Sequence, residues 1–263
     1  MSKSVKDLMK EKSSRQKSLQ FTEKAMPLFF LACAIISILT TFGIVFTLAK
    51  ETVTFFDEIP IREFLTGKEW YPFFKNDPSF GILPLLSGTF LIAGVAMLVA
   101  VPIGLSSAIY LSEYATERTR KIVKPILEVL AGVPTVVYGL FALTFVTPLL
   151  QTVIPNLPIF NALSPGIVVG IMIIPQITSL SEEAMGAVPN AMREGALALG
   201  ATRLEVALKV ILPGSLSGII SSVVLGISRA VGETMIVSTA AGSTPKFTLD
   251  VTESIQTMTS YIV

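Results

Sequence analysis

Long uncharged stretches alternate with short charged segments along the chain, and this alternation is the dominant pattern in the sequence. Residues 25–49 and residues 78–112 carry no charged side chain. As a helix, the first stretch would reach roughly 37 Å, which exceeds the ~30 Å hydrocarbon thickness of a bilayer. The pattern therefore predicts a first membrane span at 25–49 and a second at about 83–111.

A third uncharged stretch runs from Val129 to Ser181 and is too long for a single span. Four turn-forming residues interrupt it, namely Pro155, Asn156, Pro158 and Asn161. We therefore predict a third span at about 126–150 and a fourth at about 164–179. Pro175 lies inside the fourth and lacks a backbone N–H, so we expect that helix to be broken or to end early.

Residues 180–212 carry signals of short helices. Ser179 with Glu182, and Thr202 with Glu205, have capping-box spacing, in which two residues satisfy each other's backbone N–H groups at a helix start. Gly200 lies between two helical patterns, where a left-handed turn residue is needed. We expect this segment to form a folded helical loop.

Composition places the chain in the membrane class. Hydrophobic residues make up 51% of it and charged residues 15%, with a mean hydropathy of +0.70, whereas soluble domains carry about 25% charged residues. These values indicate an all-α polytopic helical membrane protein and exclude a basic nucleic-acid-binding protein or an ordinary soluble enzyme. The sequence has no histidine and one cysteine, Cys33, which excludes histidine chemistry and an internal disulfide.

The distribution of basic residues predicts the orientation. Seven Lys and Arg residues lie in 1–24 and four in 112–125, whereas 151–163 has none. Because cytoplasmic segments are enriched in Lys and Arg, we expect a cytoplasmic tail at 1–24 followed by a membrane domain at 25–263. The 180–212 loop is then cytoplasmic.

The predicted fifth span, 213–241, contains two charges, Arg229 and Glu233. Charges inside a span are costly and need a partner or a task. Four residues apart, the two would share one helix face. They form either a structural ion pair or part of an anion pathway. In such a pathway the Arg229 guanidinium binds an oxyanion, and Glu233 holds Arg229 when the oxyanion is absent.

Hydroxyl groups near these charges are further candidates for the pathway. Pro134 should kink the third span and free a carbonyl group. Thr135 and Tyr138 lie beside it, and Thr234 directly follows Glu233. Hydroxyl donors suit an acceptor-rich anion, although ordinary helix packing explains them equally well.

The cytoplasmic loop contains a motif with recognisable spacing. Glu194-Gly195-Ala196 is followed after three residues by Gly200, and Val210-Ile211-Leu212-Pro213 ends the segment. This resembles the EAA loop of ABC importer permeases. The resemblance implies that a separate ATPase binds a rigid elbow containing Glu194, Gly195, Ala196, Gly200 and Pro213. The alternative is an interfacial loop without a partner.

The sequence has no GxxxxGK[ST] pattern, so we expect no ATP hydrolysis by this chain. It is then a transport subunit and not an enzyme. The chain itself should need no cofactor or metal, and ATP and Mg²⁺ would be bound by the ATPase partner.

Other motifs narrow the resemblance. The runs Phe80-Gly81-Ile82-Leu83-Pro84, Gly-Val-Pro-Thr-Val-Val-Tyr-Gly-Leu at 132–140 and Arg-Ala-Val-Gly-Glu-Thr-Met at 229–235 are similar to motifs of PstC-type phosphate importer permeases. The resemblance implies a type I ABC importer permease fold and ATP-driven phosphate import across the cell inner membrane. It also implies three partners, a PstA-like sister permease, an ATPase dimer and an extracytoplasmic phosphate-binding protein.

The resemblance implies a further membrane span, and other functions remain as alternatives to it. The family fold has a sixth span after a segment like the present C-terminus, so we expect that span to be missing through truncation or an incomplete sequence. The alternative functions are a permease for another oxyanion, such as molybdate or phosphonate, an ion-coupled secondary transporter or channel, and an assembly or sensing subunit with no transport role. No nucleic-acid partner is expected.

Overall fold

The computed structural model describes residues 5–74 and 78–263, with side chains described for Glu23 and, within those ranges, from Met26 onward. Contacts divide the chain into two compact units, Met1–Ile61 and Arg62–Val263. All seven basic side chains of the predicted tail 1–24 lie outside the described part, so the cytoplasmic position of that tail stays a prediction.

One long helix, α1 (Val5–Glu58), forms most of the first unit. Within its apolar part, Met26–Glu58, the most apolar stretch of 18 residues has a mean hydropathy of 2.5, and none of that stretch is buried. A helix that is apolar on all sides needs an apolar environment, which a bilayer provides. The predicted first span at 25–49 lies within this helix, which continues to Glu58.

The second unit begins with a small hairpin. The short helix α2 (Ile61–Thr66) leads to strands β1 (Trp70–Tyr71) and β2 (Ser79–Phe80). The strands are antiparallel, with Trp70 opposite Phe80. The indole of Trp70 packs edge-on against Tyr261, and an isolated bridge joins Glu69 to Lys246, so the hairpin is tied to the C-terminal part of the unit.

Three helices make the core. They are α3 (Leu83–Ile109), which continues through a π-helical turn at Tyr110–Tyr114, α7 (Leu163–Gly186) and α11 (Leu216–Val231). Ile92, Ala96 and Ala100 of α3 are almost completely buried together with Met172 and Ile173 of α7. Small residues on α3 let the helices approach closely, as is usual where helices pack within membranes.

The third span begins later than the sequence predicted. Helix α4 (Glu117–Ala131) ends at Gly132, and a new apolar helix runs over Thr135–Val153 as α5 (Thr135–Phe141), a π-helical turn at Ala142–Val146, and α6 (Thr147–Val153). The prediction of one helix over 126–150 was therefore wrong. Pro134 is extended at φ −58° and ψ 135°, and a proline also disfavours helical geometry at the preceding residue.

The fourth span shows the opposite deviation. Helix α7 runs without interruption from Leu163 to Gly186 with Pro175 inside it, so the predicted end at 179 and the predicted capping box of Ser179 with Glu182 were wrong. Most of α7 is buried against its neighbours, and the Thr178 hydroxyl donates to the carbonyl oxygen of Gly104 at 3.2 Å. The free energy gained from packing of this extent outweighs the free energy lost with the one backbone hydrogen bond that proline removes.

Short helices follow α7. They are α8 (Asn190–Ala198), α9 (Arg203–Val206), a π-helical turn at Ala207–Ile211, and α10 (Leu212–Gly214), which leads into α11. Arg203–Gly214 and Leu216–Val231 are bent by 72° relative to each other. After α11 come α12 (Met235–Ala240) and α13 (Met258–Ile262).

The predicted fifth span, 213–241, is therefore divided. The long helix within it ends at Val231, and α12 is a separate helix. Within the described ranges, four helices are long and apolar enough to cross a membrane, and five if the bent pair counts as one span. The prediction of an all-α polytopic membrane protein is confirmed.

Candidate transport site and coupling segment

Arg229 lies in the last turn of α11 and is partly exposed. Its Nη1 donates a hydrogen bond to Oε1 of Gln176 on α7 at 3.3 Å. Glu233 lies beyond the end of the helix, is 8% exposed, and its Oε1 accepts from the backbone N–H of Ile236 at 3.1 Å. The expectation that the two charges share one helix face was wrong, and among the described residues they form no ion pair.

The break between α11 and α12 explains this separation. Gly232 ends α11, and the Glu233 carboxylate satisfies a free backbone N–H at the start of α12, where a negative charge is also favoured by the helix dipole. The carbonyl oxygen of Glu233 accepts from the Thr259 hydroxyl at 2.9 Å, and the Thr234 hydroxyl donates to the carbonyl of Gly232 at 3.3 Å. The side chain and the carbonyl group of Glu233 thus both stabilise the break between α11 and α12.

A second helix break lies at Gly132–Pro134. The hydroxyl of Tyr138, which is 7% exposed, donates to the carbonyl oxygen of Leu130 at 2.8 Å and so satisfies the last turn of α4. Thr135 begins α5 and is partly exposed. Three residues apart on one helix, Thr135 and Tyr138 are neighbours on its surface.

The two breaks belong to one region of the protein. Tyr138 of α5 and Ala230 of α11, the neighbour of Arg229, belong to the same cluster of buried residues. Helices α5 and α12 are in close contact at Gly139, where a Cβ atom would lie 3.0 Å from both Cβ and Oγ1 of Thr239. A Cβ atom at Gly139 would therefore require the Thr239 side chain to shift by a few tenths of an ångström.

Gln176 is a site residue that the sequence motifs did not predict. It is an uncharged polar residue in the middle of a buried apolar helix, directly after Pro175. Polar side chains in such positions usually have a partner or a function. That signal was available in the sequence, but the partner, Arg229, is 53 residues away and only the folded structure identifies it.

The turn between α8 and α9 has the predicted geometry. Gly200 has φ +86°, the left-handed conformation that glycine adopts at least cost. The Ala201 N–H donates to the Ala196 carbonyl at 3.1 Å and the Gly200 N–H to that of Leu197 at 2.9 Å, which is a Schellman ending for α8.

The start of α9 was also predicted correctly. The N–H of Glu205 donates to Oγ1 of Thr202 at 3.3 Å, and the Thr202 N–H donates to Oε2 of Glu205 at 3.0 Å. This reciprocal capping box fixes the chain direction directly after the Gly200 turn. The helix–turn–helix elbow expected from the sequence is therefore present.

The elbow offers an exposed surface. Glu194 and Gly195 are exposed, Ala196 is partly buried and Pro213 is exposed at the end of the segment. Leu199, directly before the turn, is 91% exposed. Exposed apolar side chains next to small residues are a common feature of surfaces that bind another protein.

Similarity to known proteins places the chain in a family. Residues 100–263 match the family described as "Binding-protein-dependent transport system inner membrane component". The chain is 36% identical over 234 residues to the probable ABC transporter permease protein YqgH of Bacillus subtilis (strain 168), covering 88% of this chain and 75% of YqgH.

Two phosphate transport system permease proteins PstC are also similar. The protein from Mesorhizobium japonicum is 34% identical over 199 residues, and that from Haemophilus influenzae is 36% identical over 199 residues. Each alignment covers 68% of this chain, which thus spans 60% and 62% of the two relatives.

Among solved structures, a chain of the inward-facing MetNI methionine ABC transporter matches with a TM-score of 0.46 and 19% identity, covering 61% of this chain and 71% of that one. The family match covers more than half of this chain, and the YqgH alignment covers most of both proteins. The chain belongs to the family of binding-protein-dependent transport system inner membrane components, which are transport components of membranes.

Proposed function

We propose that this chain is the transmembrane subunit of an ATP-driven importer that moves inorganic phosphate across the cytoplasmic membrane. The observation that carries the proposal is Arg229, a partly exposed guanidinium beside two helix breaks in the apolar part of the protein. The PstC names of its relatives support phosphate as the ion. The chain spans about 60% of the length of these relatives, so phosphate transport by this chain is a proposal.

Arg229 has the chemistry that a transient phosphate site needs. A guanidinium carries five N–H donors and stays charged, and its planar fork matches two oxygens of an oxyanion. The described bond to Gln176 uses a neutral partner, so it orients the guanidinium without neutralising it. Glu233, which caps α12, serves to shape the site and does not compete directly for Arg229.

The hydroxyl-bearing residues have more specific roles in this proposal. Tyr138 donates a hydrogen bond to the Leu130 carbonyl oxygen and thereby stabilises the break at Pro134, so it supports the site by position. Thr135 and Thr234 each lie next to one of the two breaks and are partly exposed. Thr135 supplies a donor to a passing anion, and Thr234 supplies one by releasing its bond to the Gly232 carbonyl, so binding stays weak enough for release.

ATP hydrolysis is assigned to a partner. In this proposal an ATPase dimer, which binds ATP and Mg²⁺, docks on the elbow of α8, Gly200 and α9. The exposed Leu199 and the neighbouring small residues provide a surface that a groove can enclose. A PstA-like sister permease completes the pathway, and an extracytoplasmic phosphate-binding protein delivers the ion.

The orientation is part of the proposal. A cytoplasmic N-terminus places the hairpin of β1 and β2 on the outer side, facing the binding protein. A cysteine introduced at Lys68 in a Cys33→Ser background should react in intact cells with an impermeant thiol reagent. Labelling only after the cells are opened contradicts this orientation.

The function is tested in proteoliposomes containing this chain, the sister permease and the ATPase. Labelled phosphate should accumulate only when ATP and the binding protein are both present, and an ATPase variant lacking the P-loop lysine should be inactive. Excess molybdate or phosphonate should not compete. Competition by either identifies another oxyanion as substrate, and uptake without ATP indicates an ion-coupled transporter or a channel.

A further inference from the structure

One largely buried polar side chain, Arg193, links helix α8 to the ends of α3 and α7. None of the residues of α8 is fully buried, and Ala196 contributes a partly buried apolar contact. The other polar residues of α8 are exposed, whereas the side chain of Arg193 is only 18% exposed. A cavity of about 260 Å³ lies beside Arg193, so apolar packing under this helix is sparse.

The guanidinium of Arg193 binds the end of α7. Its Nη2 donates to the carbonyl oxygen of Met185 at 2.7 Å and its Nη1 to that of Val188 at 3.0 Å. Carbonyl groups in the last turn of a helix have no partner within the helix, and a cation is favoured there by the helix dipole. Arg193 therefore caps α7 from the neighbouring helix.

The same guanidinium binds the end of α3. Its Nε and Nη2 lie 3.3 and 3.2 Å from Oε1 of Glu113, whose side chain is 10% exposed. Glu113 belongs to the π-helical turn that ends α3. A buried carboxylate is stable only with such a partner, so the position of Arg193 is coupled to the end of α3.

A second arginine, Arg120, also contacts these two helices, but it binds carbonyl groups at the end of α3 and a carboxylate on α7. Arg120 donates from Nε to the Leu111 carbonyl at 2.7 Å and from Nη2 to that of Ser112 at 2.6 Å, both at the end of α3. Its Nε also lies 3.9 Å from Oε1 of Glu182 on α7. Arg120 thus fixes α3 to α7 without involving α8, whereas Arg193 includes α8 in the same junction.

We infer that Arg193 is a positioning residue that makes α8 move together with the ends of α3 and α7. It does so through simultaneous bonds to Glu113 and to the α7 carbonyl groups. The inference rests on the proposed function, because α8 is the helix on which the ATPase is proposed to dock. Movement of α8 then displaces two core helices, and α7 carries Gln176, the partner of Arg229.

The sister permease, ATPase and binding protein are reconstituted with wild-type chain, Arg193→Met, Arg193→Lys, Glu113→Gln, or the double variant Arg193→Met/Glu113→Gln. Two rates are measured, ATP hydrolysis and labelled phosphate uptake. Arg193→Met should raise the ATP hydrolysed per phosphate transported at least about fivefold, the low end of ordinary coupling between sites. Arg193→Lys and Glu113→Gln should give intermediate ratios. Lys246→Gln, which removes an ion pair far along the chain, is the control.

The double variant separates coupling from a purely structural role. Arg193→Met alone leaves the buried Glu113 carboxylate without its cation and with the Ser112 hydroxyl as its remaining described donor, and the double variant removes that buried charge. We expect it to restore assembly with the ATPase while the ratio stays raised. A wild-type ratio in the double variant, or in an assembled Arg193→Met complex, overturns the inference. Absence of ATP-driven phosphate uptake by the wild-type complex instead contradicts the proposed function.

Discussion

Arg229 and Gln176 are joined by a hydrogen bond of 3.3 Å from Nη1 to Oε1, which links the last turn of α11 to the middle of α7. The partner of the arginine is thus a neutral amide, although a carboxylate, Glu233, lies only four residues further along the chain. A neutral acceptor orients the guanidinium and leaves its charge available for an anion.

Gln176 is therefore expected to control how strongly Arg229 attracts phosphate. Gln176→Leu should lower phosphate uptake about threefold to tenfold, because Arg229 loses its orienting hydrogen bond. Gln176→Glu should be more harmful, because its carboxylate would neutralise Arg229 and occupy the fork. Uptake is measured in proteoliposomes, with Gln256→Glu as the control that adds the same charge in the loop before α13. Equal activity of Gln176→Glu and wild type contradicts this role.

Gly200 should be required for coupling and not for folding of the membrane helices. Its φ of +86° costs an ordinary residue about 1–2 kcal/mol, although no atom would obstruct a Cβ there. Gly200→Leu should reduce ATP-driven uptake at least about tenfold at normal expression, because it also enlarges the proposed docking surface.

Two controls accompany that measurement. Gly200→Asn should retain more activity than Gly200→Leu, since asparagine tolerates the left-handed conformation. Gly186→Ala, in open space at the end of α7, should behave as wild type. Normal uptake by Gly200→Leu shows that the ATPase does not depend on this turn.

The loop between α12 and α13 should tolerate mild acid. A bond from the Lys246 ammonium, supported by the Thr248 hydroxyl, holds the pKa of Glu253 below its ordinary value, and bonds from Thr252 do the same for Asp250. A lowered carboxyl pKa stabilises the folded loop above the unfolded value of about 4 and loses that effect as pH falls through the lower folded value.

Trp70 can report this transition, because it is the only tryptophan and its neighbour Glu69 is bridged to Lys246. Its fluorescence should stay constant from pH 8 to about 5 and change only below about 4. In Lys246→Met the transition should move to higher pH, since loss of the Lys246 bond raises the pKa of Glu253 towards its ordinary value. A transition near neutral pH in the wild-type protein contradicts this assignment.

Local signals in the sequence were reliable where one residue determines the geometry. Gly200 was predicted to be left-handed, and Thr202 with Glu205 was predicted to cap a helix, because both features depend on residues within a few positions of each other. Both are present. The composition likewise sufficed for the all-α membrane class.

Proline was interpreted incorrectly twice, for one reason. Pro134 ends a helix that was expected only to kink, whereas Pro175 is accommodated in a helix that was expected to break. Whether a helix continues through proline depends on how well its neighbours bury it, and α7 is far more buried than the region around Pro134. A single sequence does not contain that tertiary information.

The pairing of Arg229 was inaccessible for a related reason. Helical spacing correctly places residues four apart on one face only while the helix continues, and α11 ends at Val231. The actual partner, Gln176, comes from another span. Sequence reasoning thus identified the important charges but not the contacts that position them.

The most direct test of the account is labelled phosphate uptake in proteoliposomes containing Arg229→Ala, Arg229→Lys or Arg229→Ala/Glu233→Gln in the complete complex. Glutamine at 233 keeps an acceptor for the N–H of Ile236. We predict that both alanine variants assemble and bind ATP but lose uptake about 100-fold or more, and that Arg229→Lys keeps part of it, because an ammonium lacks the planar fork. Wild-type uptake by Arg229→Ala or by the double variant would show that the anion pathway lies elsewhere.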